Sequence, residues 1–180
     1  MARSTDWFAI IPAALIAPAP ASATVYLSIP AAQQAFFPGA QMVDRKIALS
    51  PAQRKAIAKT AGASGTDQVQ RIWEAKAGGK RTGWFILDRV IGKHEYITYA
   101  VALSPDGAVR GLEILDYRET YGGEVRNANW RRQFSGKKPG QSLKLERDIR
   151  NISGATLSSR HITDGVRRLL VTYQMLLAGS

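Results

Sequence analysis

The chain has 180 residues, a length typical of one domain, and it contains 25 Lys and Arg against 14 Asp and Glu. It has no cysteine, which excludes disulfides, thiolate metal sites, a cysteine nucleophile and lipid attachment to an N-terminal Cys. The net charge of +11 favours acidic partners such as phosphate-bearing ligands, anionic lipid surfaces or acidic proteins, although a merely soluble basic surface explains it equally well. Nucleic acid is not predicted as a partner, because the basic residues are spread from Arg45 to Arg168.

The first predicted segment is apolar and uncharged, and it covers residues 7–23 after Arg3. Ala21-Ser22-Ala23 fits the small-x-small rule for signal peptidase. The apolar run is rich in proline and shorter than the about 20 residues of a membrane span. We therefore predict a signal peptide over residues 1–23, a mature domain over residues 24–180, and a periplasmic or other extracytoplasmic location. An uncleaved anchor is the alternative, and a basic exported protein can lie against an anionic membrane surface.

The beginning of the mature chain is predicted to contain two short helices. The first covers residues 31–37, and residues 42–49 have the composition of a strand. Ser50 followed by Pro51 is typical of a cap and a first turn, and it predicts a second helix that ends at about Ala61 before Gly62.

The middle of the chain has the pattern of successive short strands. Ser104-Pro105-Asp106-Gly107 is a strong hairpin signal between two of them. The predicted strands cover residues 69–76, 83–92, 96–103 and 109–117. Consecutive strands with short connections predict an antiparallel sheet.

The last third of the chain is predicted to add a short helix at residues 127–134, an edge strand at residues 143–149 and a long C-terminal helix. The helix is indicated by apolar residues at helical spacing from Ile162 to Leu177. A central antiparallel sheet with flanking helices gives the fold class α+β.

A short motif before this last helix combines small side chains with four hydroxyls. It consists of Ser153, Gly154, Ala155, Thr156, Leu157, Ser158 and Ser159. Small residues let the backbone approach a ligand closely, and free N–H groups at a helix start favour phosphate. The motif follows an apolar, strand-like segment, which predicts a strand–helix junction. Taken alone it is also typical of an ordinary capped turn, but one cap needs fewer hydroxyls.

The segment 148–159, Asp-Ile-Arg-Asn-Ile-Ser-Gly-Ala-Thr-Leu-Ser-Ser, resembles the flavinylation motif of FMN-binding domains, such as the periplasmic flavin subunits of Rnf and Nqr complexes. In that family the last Thr of the motif carries FMN through a phosphoester bond, and the matching residue here is Thr156. Arg150 stands where many relatives have an acidic residue or Asn, so non-covalent FMN is the alternative.

Two further segments resemble the same family. Residues 119–124, Glu-Thr-Tyr-Gly-Gly-Glu, look like the family's loop beside the flavin ring. The Trp–Phe–Gly–Lys segment of the family is matched here between residues 130 and 137. The resemblance implies cofactor contacts from Glu119, Thr120, Tyr121, Gly122, Gly123, Trp130 and Lys137. Trp130 either stacks on the ring or fills the core, and the core is the favoured interpretation.

Lys93 and His94 are additional candidates at a strand end. Reduction adds negative charge to a flavin, so a nearby cation raises its potential. A polar strand end without contact to a ligand is the alternative. His94 and His161 are the only histidines and have no ligand spacing, so no metal site is predicted.

The resemblance and the residues together predict an exported FMN-binding electron-transfer protein, a redox carrier or a subunit of an oxidoreductase rather than a stand-alone enzyme. FMN is the expected cofactor, attached to Thr156. A threonine hydroxyl is a poor nucleophile without a base or metal, so a separate flavin transferase that uses FAD and a divalent cation is implied. The other expected partners are membrane-bound or periplasmic redox proteins. A basic module that binds membrane or nucleic acid without a cofactor is the alternative function.

Overall fold

The computed structural model describes residues 24–65, 67 and 69–179, so the predicted signal peptide lies outside the described residues. Strands β1–β7 are Thr24–Val25, Gln41–Asp44, Ile47–Ala48, Val69–Ala77, Lys80–Ile91, Tyr96–Leu103 and Val109–Tyr117. Helices α1–α4 are Ile29–Phe36, Pro51–Ala61, Ala128–Arg131 and Thr156–Leu176, and 3-10 turns cover Gly123–Arg126 and Arg132–Phe134.

The sheet is antiparallel, with the strand order β1-β7-β6-β5-β4-β2, while β3 also pairs with β4. The long strands β4 to β7 follow one another in space as they do in sequence, because each is joined to the next by a short turn. The predicted α+β fold with a long C-terminal helix is confirmed.

The main core lies between one face of the sheet and α4. Fully buried residues of the sheet such as Ile72, Tyr99 and Leu103 share this core with Ile162 and Val166 of the helix. The opposite face of the sheet is covered by α1, which packs against a smaller cluster of buried residues that includes Phe85. The sheet thus fixes the position of α4, whose first residue is Thr156.

The two predicted N-terminal helices are present. Ser28 caps α1 by accepting the N–H of Ala31, and Ser50 forms a reciprocal capping box with Gln53 at the start of α2. Gly62 ends α2 in the left-handed conformation that glycine adopts readily.

Two strand predictions are wrong in detail. The strand predicted at residues 42–49 is divided into β2 and β3, because Asp44 accepts the N–H of Lys46 and turns the chain between them. The strand predicted at residues 143–149 is a turn with one isolated bridge, in which the C=O of Lys144 accepts the N–H groups of Asp148 and Ile149. Leu143 and Ile149 of this turn are buried and Leu145 is half-buried. Because the segment is not a strand, the expected strand–helix junction is absent.

Among the residues that the structure describes, no helix combines the length and the apolar character needed to cross a membrane.

Candidate functional site

The start of α4 is entered through a tight turn. The N–H of Ala155 donates to the C=O of Ile152 at 3.0 Å, and Gly154 within this turn has φ +83°. Glycine adopts this left-handed conformation without steric cost. The turn directs the chain into α4 with Thr156 as the first helical residue.

The first turn of α4 has no side-chain cap. The first intrahelical bond runs from the N–H of Ser159 to the C=O of Ala155 at 2.9 Å. The N–H groups of residues 156–158 therefore have no acceptor within the helix, and the positive end of the helix dipole lies at the same place. The alternative of an ordinary capped turn is thus wrong, because no hydroxyl of the motif serves as the cap.

The hydroxyls of the motif have different surroundings. Thr156 is half-buried, and its Oγ1 accepts a hydrogen bond from Asn151 Nδ2 at 3.2 Å. Ser158 is buried and lies 3.2 Å from the hydroxyl of Tyr117. Ser159 is fully buried, and its hydroxyl has no hydrogen-bond partner in the part of the chain that the structure describes.

The loop after β7 packs closely against the start of α4. The hydroxyl of Tyr117 donates to the C=O of Tyr121 at 2.5 Å, and burial raises the pKa of this phenol, which keeps its proton in place. A Cβ at Gly122 would lie 2.7 Å from the Tyr117 hydroxyl and 3.4 Å from the Cα of Ala155. Only glycine fits this approach, and it also has φ +86° here.

Glu119 holds the turn between β5 and β6. Its Oε1 accepts the N–H groups of Lys93, His94 and Glu95, and a Cβ at Gly92 would overlap the same oxygen. Burial raises the pKa of Glu119, but the three N–H donors outweigh this effect and keep the pKa below its ordinary value. Oε1 of Glu119 therefore holds this turn in place, whereas the sequence suggested only a contact to a ligand.

A cleft of about 420 Å³ lies where the turn between β5 and β6, the loop after β7 and the start of α4 meet. Its lining consists of Lys93, His94, Glu119, Thr120, Tyr121, Gly154, Ala155, Thr156, Leu157 and Ser158. All of these are residues that the sequence singled out. A second depression of about 450 Å³ shares Thr120, Tyr121 and Gly154 with the cleft and is also lined by Gly122 and Gly123.

Four predicted contact residues do not line either depression. Ser153 is exposed on the outside of the turn, whereas Ser159 is fully buried. Trp130 is a core residue, as the favoured interpretation had it, and its indole N–H donates to the C=O of Arg150 at 2.7 Å. Lys137 pairs with Val109 at the start of β7, roughly 26 Å of strand away from Tyr117 at about 3.3 Å per residue.

Several residues at the site were missed by the sequence analysis. Tyr117 ends a predicted strand and carried no signal beyond its apolar pattern, but it joins the loop to α4. Asn151 lies two residues before the motif of residues 153–159, whose hydroxyls carried the prediction, and it contacts both Thr156 and Glu146. A larger cleft of about 550 Å³ beside α4, near Arg89 and His161, was also not anticipated.

The comparisons with known proteins agree with this geometry. Residues 92–171 match the family model of the FMN-binding domain. This part of the chain is similar to an FMN-binding domain. The match begins at the turn that Glu119 holds and extends into α4, so it includes every element that lines the cleft.

The chain is also similar to one known protein in sequence and to one solved structure in fold. The chain is 25% identical over 130 residues to one subunit of the Na⁺-translocating ferredoxin:NAD⁺ oxidoreductase complex of Acetobacterium woodii. That alignment covers 67% of this chain and 63% of the relative, so the chain spans less than two thirds of the relative's length. The crystal structure of Shewanella oneidensis NqrC has the same fold, with a TM-score of 0.51 at 20% identity over 71% of this chain and 68% of that one.

The residues of the cleft fit FMN. Its volume lies within the about 300–1,000 Å³ of small-molecule sites. The uncapped start of α4 suits a phosphate, and the side chains of Tyr121 and Leu157 are exposed apolar surfaces for a planar ring. Within the described residues, no cluster of His, Asp and Glu could hold a metal ion.

Proposed function

We propose that this protein is an exported FMN carrier, with the phosphate of FMN esterified to Thr156, which passes electrons between a membrane-bound redox partner and another acceptor. The observation that carries the proposal is the position of Thr156, at the first residue of an uncapped helix and in the wall of the cleft. The match to the FMN-binding domain supports the cofactor.

The phosphate end of the proposed site is the turn before α4. The free N–H groups of residues 156–158 can donate to phosphate oxygens, and no side chain competes for them. A Cβ at Gly154 would meet no atom within 4 Å, so this side of the turn is open to a ligand. An ester at Thr156 Oγ1 would keep the phosphate at this helix end.

The ring end of the proposed site lies between the loop after β7 and the turn between β5 and β6. Tyr121 is 82% exposed and Leu157 is 44% exposed, although the backbone of Tyr121 is bonded to Tyr117. Contact with a planar aromatic ring would cover both side chains. Lys93 and His94 line the same cleft, and a positive charge there favours the reduced, more negative form of a flavin.

The surroundings of Thr156 support loading by another enzyme. A threonine hydroxyl needs a base or a metal to become a nucleophile. Its hydrogen-bond partner here is the amide of Asn151, which is not a base. A flavin transferase that uses FAD and a divalent cation would supply this activation, and FMN when bound supplies the electron-transfer chemistry.

The proposed location and partners rest on the relatives and on charge. The relative from Acetobacterium woodii is a subunit of an oxidoreductase complex, which supports a redox complex in the membrane as the partner. The net charge of +11 favours acidic protein surfaces or anionic lipid beside it.

The attachment site can be tested by co-expression with a flavin transferase, followed by a denaturing gel viewed for flavin fluorescence. We expect a fluorescent band for the unchanged protein and for Thr156→Ser, which keeps the hydroxyl, and none for Thr156→Ala. A band that persists in Thr156→Ala would refute the attachment site. Yellow native protein without a fluorescent denatured band would indicate non-covalent FMN, and a colourless protein would favour the basic binding module.

A further inference from the structure

We propose that Asn151, held by Glu146, is a positioning residue that orients the hydroxyl of Thr156 for attachment of the flavin phosphate. This inference rests on the proposed covalent attachment and assigns a function to two residues outside the lining of the cleft. Both residues belong to the turn-rich segment before α4.

The hydrogen bonds of Asn151 fix the orientation of its amide. The side-chain Oδ1 accepts the N–H of Ile152 at 2.8 Å, so the Nδ2 group must occupy the other side. From there Nδ2 donates to Thr156 Oγ1 at 3.2 Å and to Glu146 Oε1 at 3.4 Å. An amide turned the other way would place Oδ1 against the Glu146 carboxylate, with no hydrogen between the two acceptors.

This orientation determines how Thr156 presents its proton. Because Oγ1 accepts a hydrogen bond from Asn151, the hydroxyl hydrogen of Thr156 has to point in another direction. The remaining directions include the cleft that Thr156 lines. The proton is then available to an external base, and one lone pair of Oγ1 remains for attack on phosphorus.

The backbone of Glu146 is held in an unusual conformation. With φ +69°, it is the only non-glycine residue with positive φ in the described part of the chain. Its N–H donates to the C=O of Ile149 at 2.7 Å, which closes the turn that brings the carboxylate to Asn151. A strained conformation of this kind persists where the surrounding structure over-determines it, and it is frequent at functional sites.

The reaction that this arrangement prepares is a phosphoryl transfer from FAD. Thr156 Oγ1 forms a bond to the phosphorus of the FMN half, and the bond from that phosphorus to the bridging oxygen of the pyrophosphate breaks. AMP leaves with the bridging oxygen, and the Thr156 proton passes to a base of the transferase. No electrons are exchanged, and Asn151 acts only on the geometry of Thr156.

The test is the initial rate of covalent loading, measured by intact mass with purified apoprotein, a flavin transferase, FAD and a divalent cation. Asn151→Asp removes the donor at nearly constant shape. We expect the initial rate of loading to fall about tenfold, which corresponds to the loss of one well-placed hydrogen bond. Asn129→Asp makes the same charge change on exposed α3 and is expected to load at the wild-type rate.

Two variants of Glu146 separate its carboxylate from its backbone. Glu146→Gly suits a positive φ but lacks the acceptor, and it should load about twofold to threefold more slowly. Glu146→Gln keeps an acceptor for Asn151 and should load faster than Glu146→Gly.

The thermal unfolding of each apoprotein serves as the second readout. If Asn151 and Glu146 had a structural function alone, the variants that load more slowly would also unfold at correspondingly lower temperatures. Wild-type loading rates in Asn151→Asp and Asn151→Ala would refute the inference, while Thr156 remains the attachment site. Absence of covalent flavin in the unchanged protein, or loading of Thr156→Ala, would instead refute the proposed function itself.

Discussion

The carboxylate of Glu119 illustrates how one side chain shapes the site. By accepting three successive N–H groups, it holds the turn that carries Lys93 and His94 beside the loop from which it comes. The sequence identified Glu119 through a resemblance. The N–H groups that donate to its carboxylate belong to the turn between β5 and β6, so they depend on how these two strands are joined. The same is true of Tyr117, whose hydroxyl joins two segments that are far apart in the sequence.

At Glu119 we predict a pH-dependent contribution to stability. The pKa is lowered in the folded protein, so the stabilisation is present above the ordinary value of 4.5 and is lost as the pH falls through the folded pKa. Glu119→Gln should lower the free energy of unfolding by about 1 kcal/mol at pH 7, because a charged acceptor becomes neutral at a half-exposed position.

Denaturant unfolding of both proteins at pH 7 and pH 3.5 is the measurement. The difference in the free energy of unfolding between the unchanged protein and Glu119→Gln should become smaller at the lower pH. An equal difference at both pH values would contradict stabilisation by the ionised carboxylate of Glu119. No difference at pH 7 would show that the turn is held by other contacts.

At the scale of elements, α4 is joined to the sheet by a close contact and a buried ion pair. Arg168 of α4 donates to Asp88 of β5 at 2.6 Å, and the hydroxyl of Tyr99 bonds to the same carboxylate. Gly165 faces this group, and a Cβ there would overlap the hydroxyl of Tyr99 and lie 3.0 Å from Val90. The position of α4, and with it the position of Thr156, depends on this packing.

We predict that Gly165→Ala destabilises the protein, although alanine is favoured over glycine in a helix by about 1 kcal/mol. Tyr99 is fully buried and bonded, so it cannot move aside, and overpacking should lower the free energy of unfolding by about 1–3 kcal/mol. Gln174→Ala on the exposed side of α4 is the control and should change it by less than about 0.5 kcal/mol. Stabilisation by Gly165→Ala in denaturant unfolding would disprove the close contact.

At the scale of the molecule, the net charge does not depend on whether the predicted signal peptide is removed. The predicted signal peptide contains one Arg and one Asp, so its removal leaves the net charge of +11 unchanged. The protein that would meet redox partners outside the cytoplasm is therefore strongly basic, which favours rapid association with acidic surfaces at low ionic strength.

We predict that the protein recovered from the extracytoplasmic fraction begins at Thr24. Intact-mass measurement of that fraction should show the loss of residues 1–23, and a variant with Ala21→Asp and Ala23→Asp, which breaks the small-x-small rule, should retain them. An N-terminus still at Met1 in the exported protein would favour the uncleaved anchor. Recovery only from the cytoplasm would contradict export.

The sequence by itself determined the elements whose signals are local. Alternation and turn residues defined β4 to β7, and capping residues defined α1 and α2, because these patterns depend on neighbours in the chain. The segment around Thr156 predicts FMN as the cofactor, because the residues of such a motif follow one another in the sequence, and the family match over residues 92–171 supports this prediction.

Only the tertiary structure decided which of these residues share a cleft. Ser158 and Ser159 are neighbours in the motif, but Ser158 lines the cleft and Ser159 is fully buried away from it, because a helix rotates successive side chains by about 100°. Trp130 and Lys137 belong to the same resemblance, but Trp130 lies in the core. Lys137 lies beside the start of β7, at the end of that strand away from the cleft. The contact of Asn151 with Glu146 arises from a turn within residues 143–149, whose apolar pattern had suggested a strand.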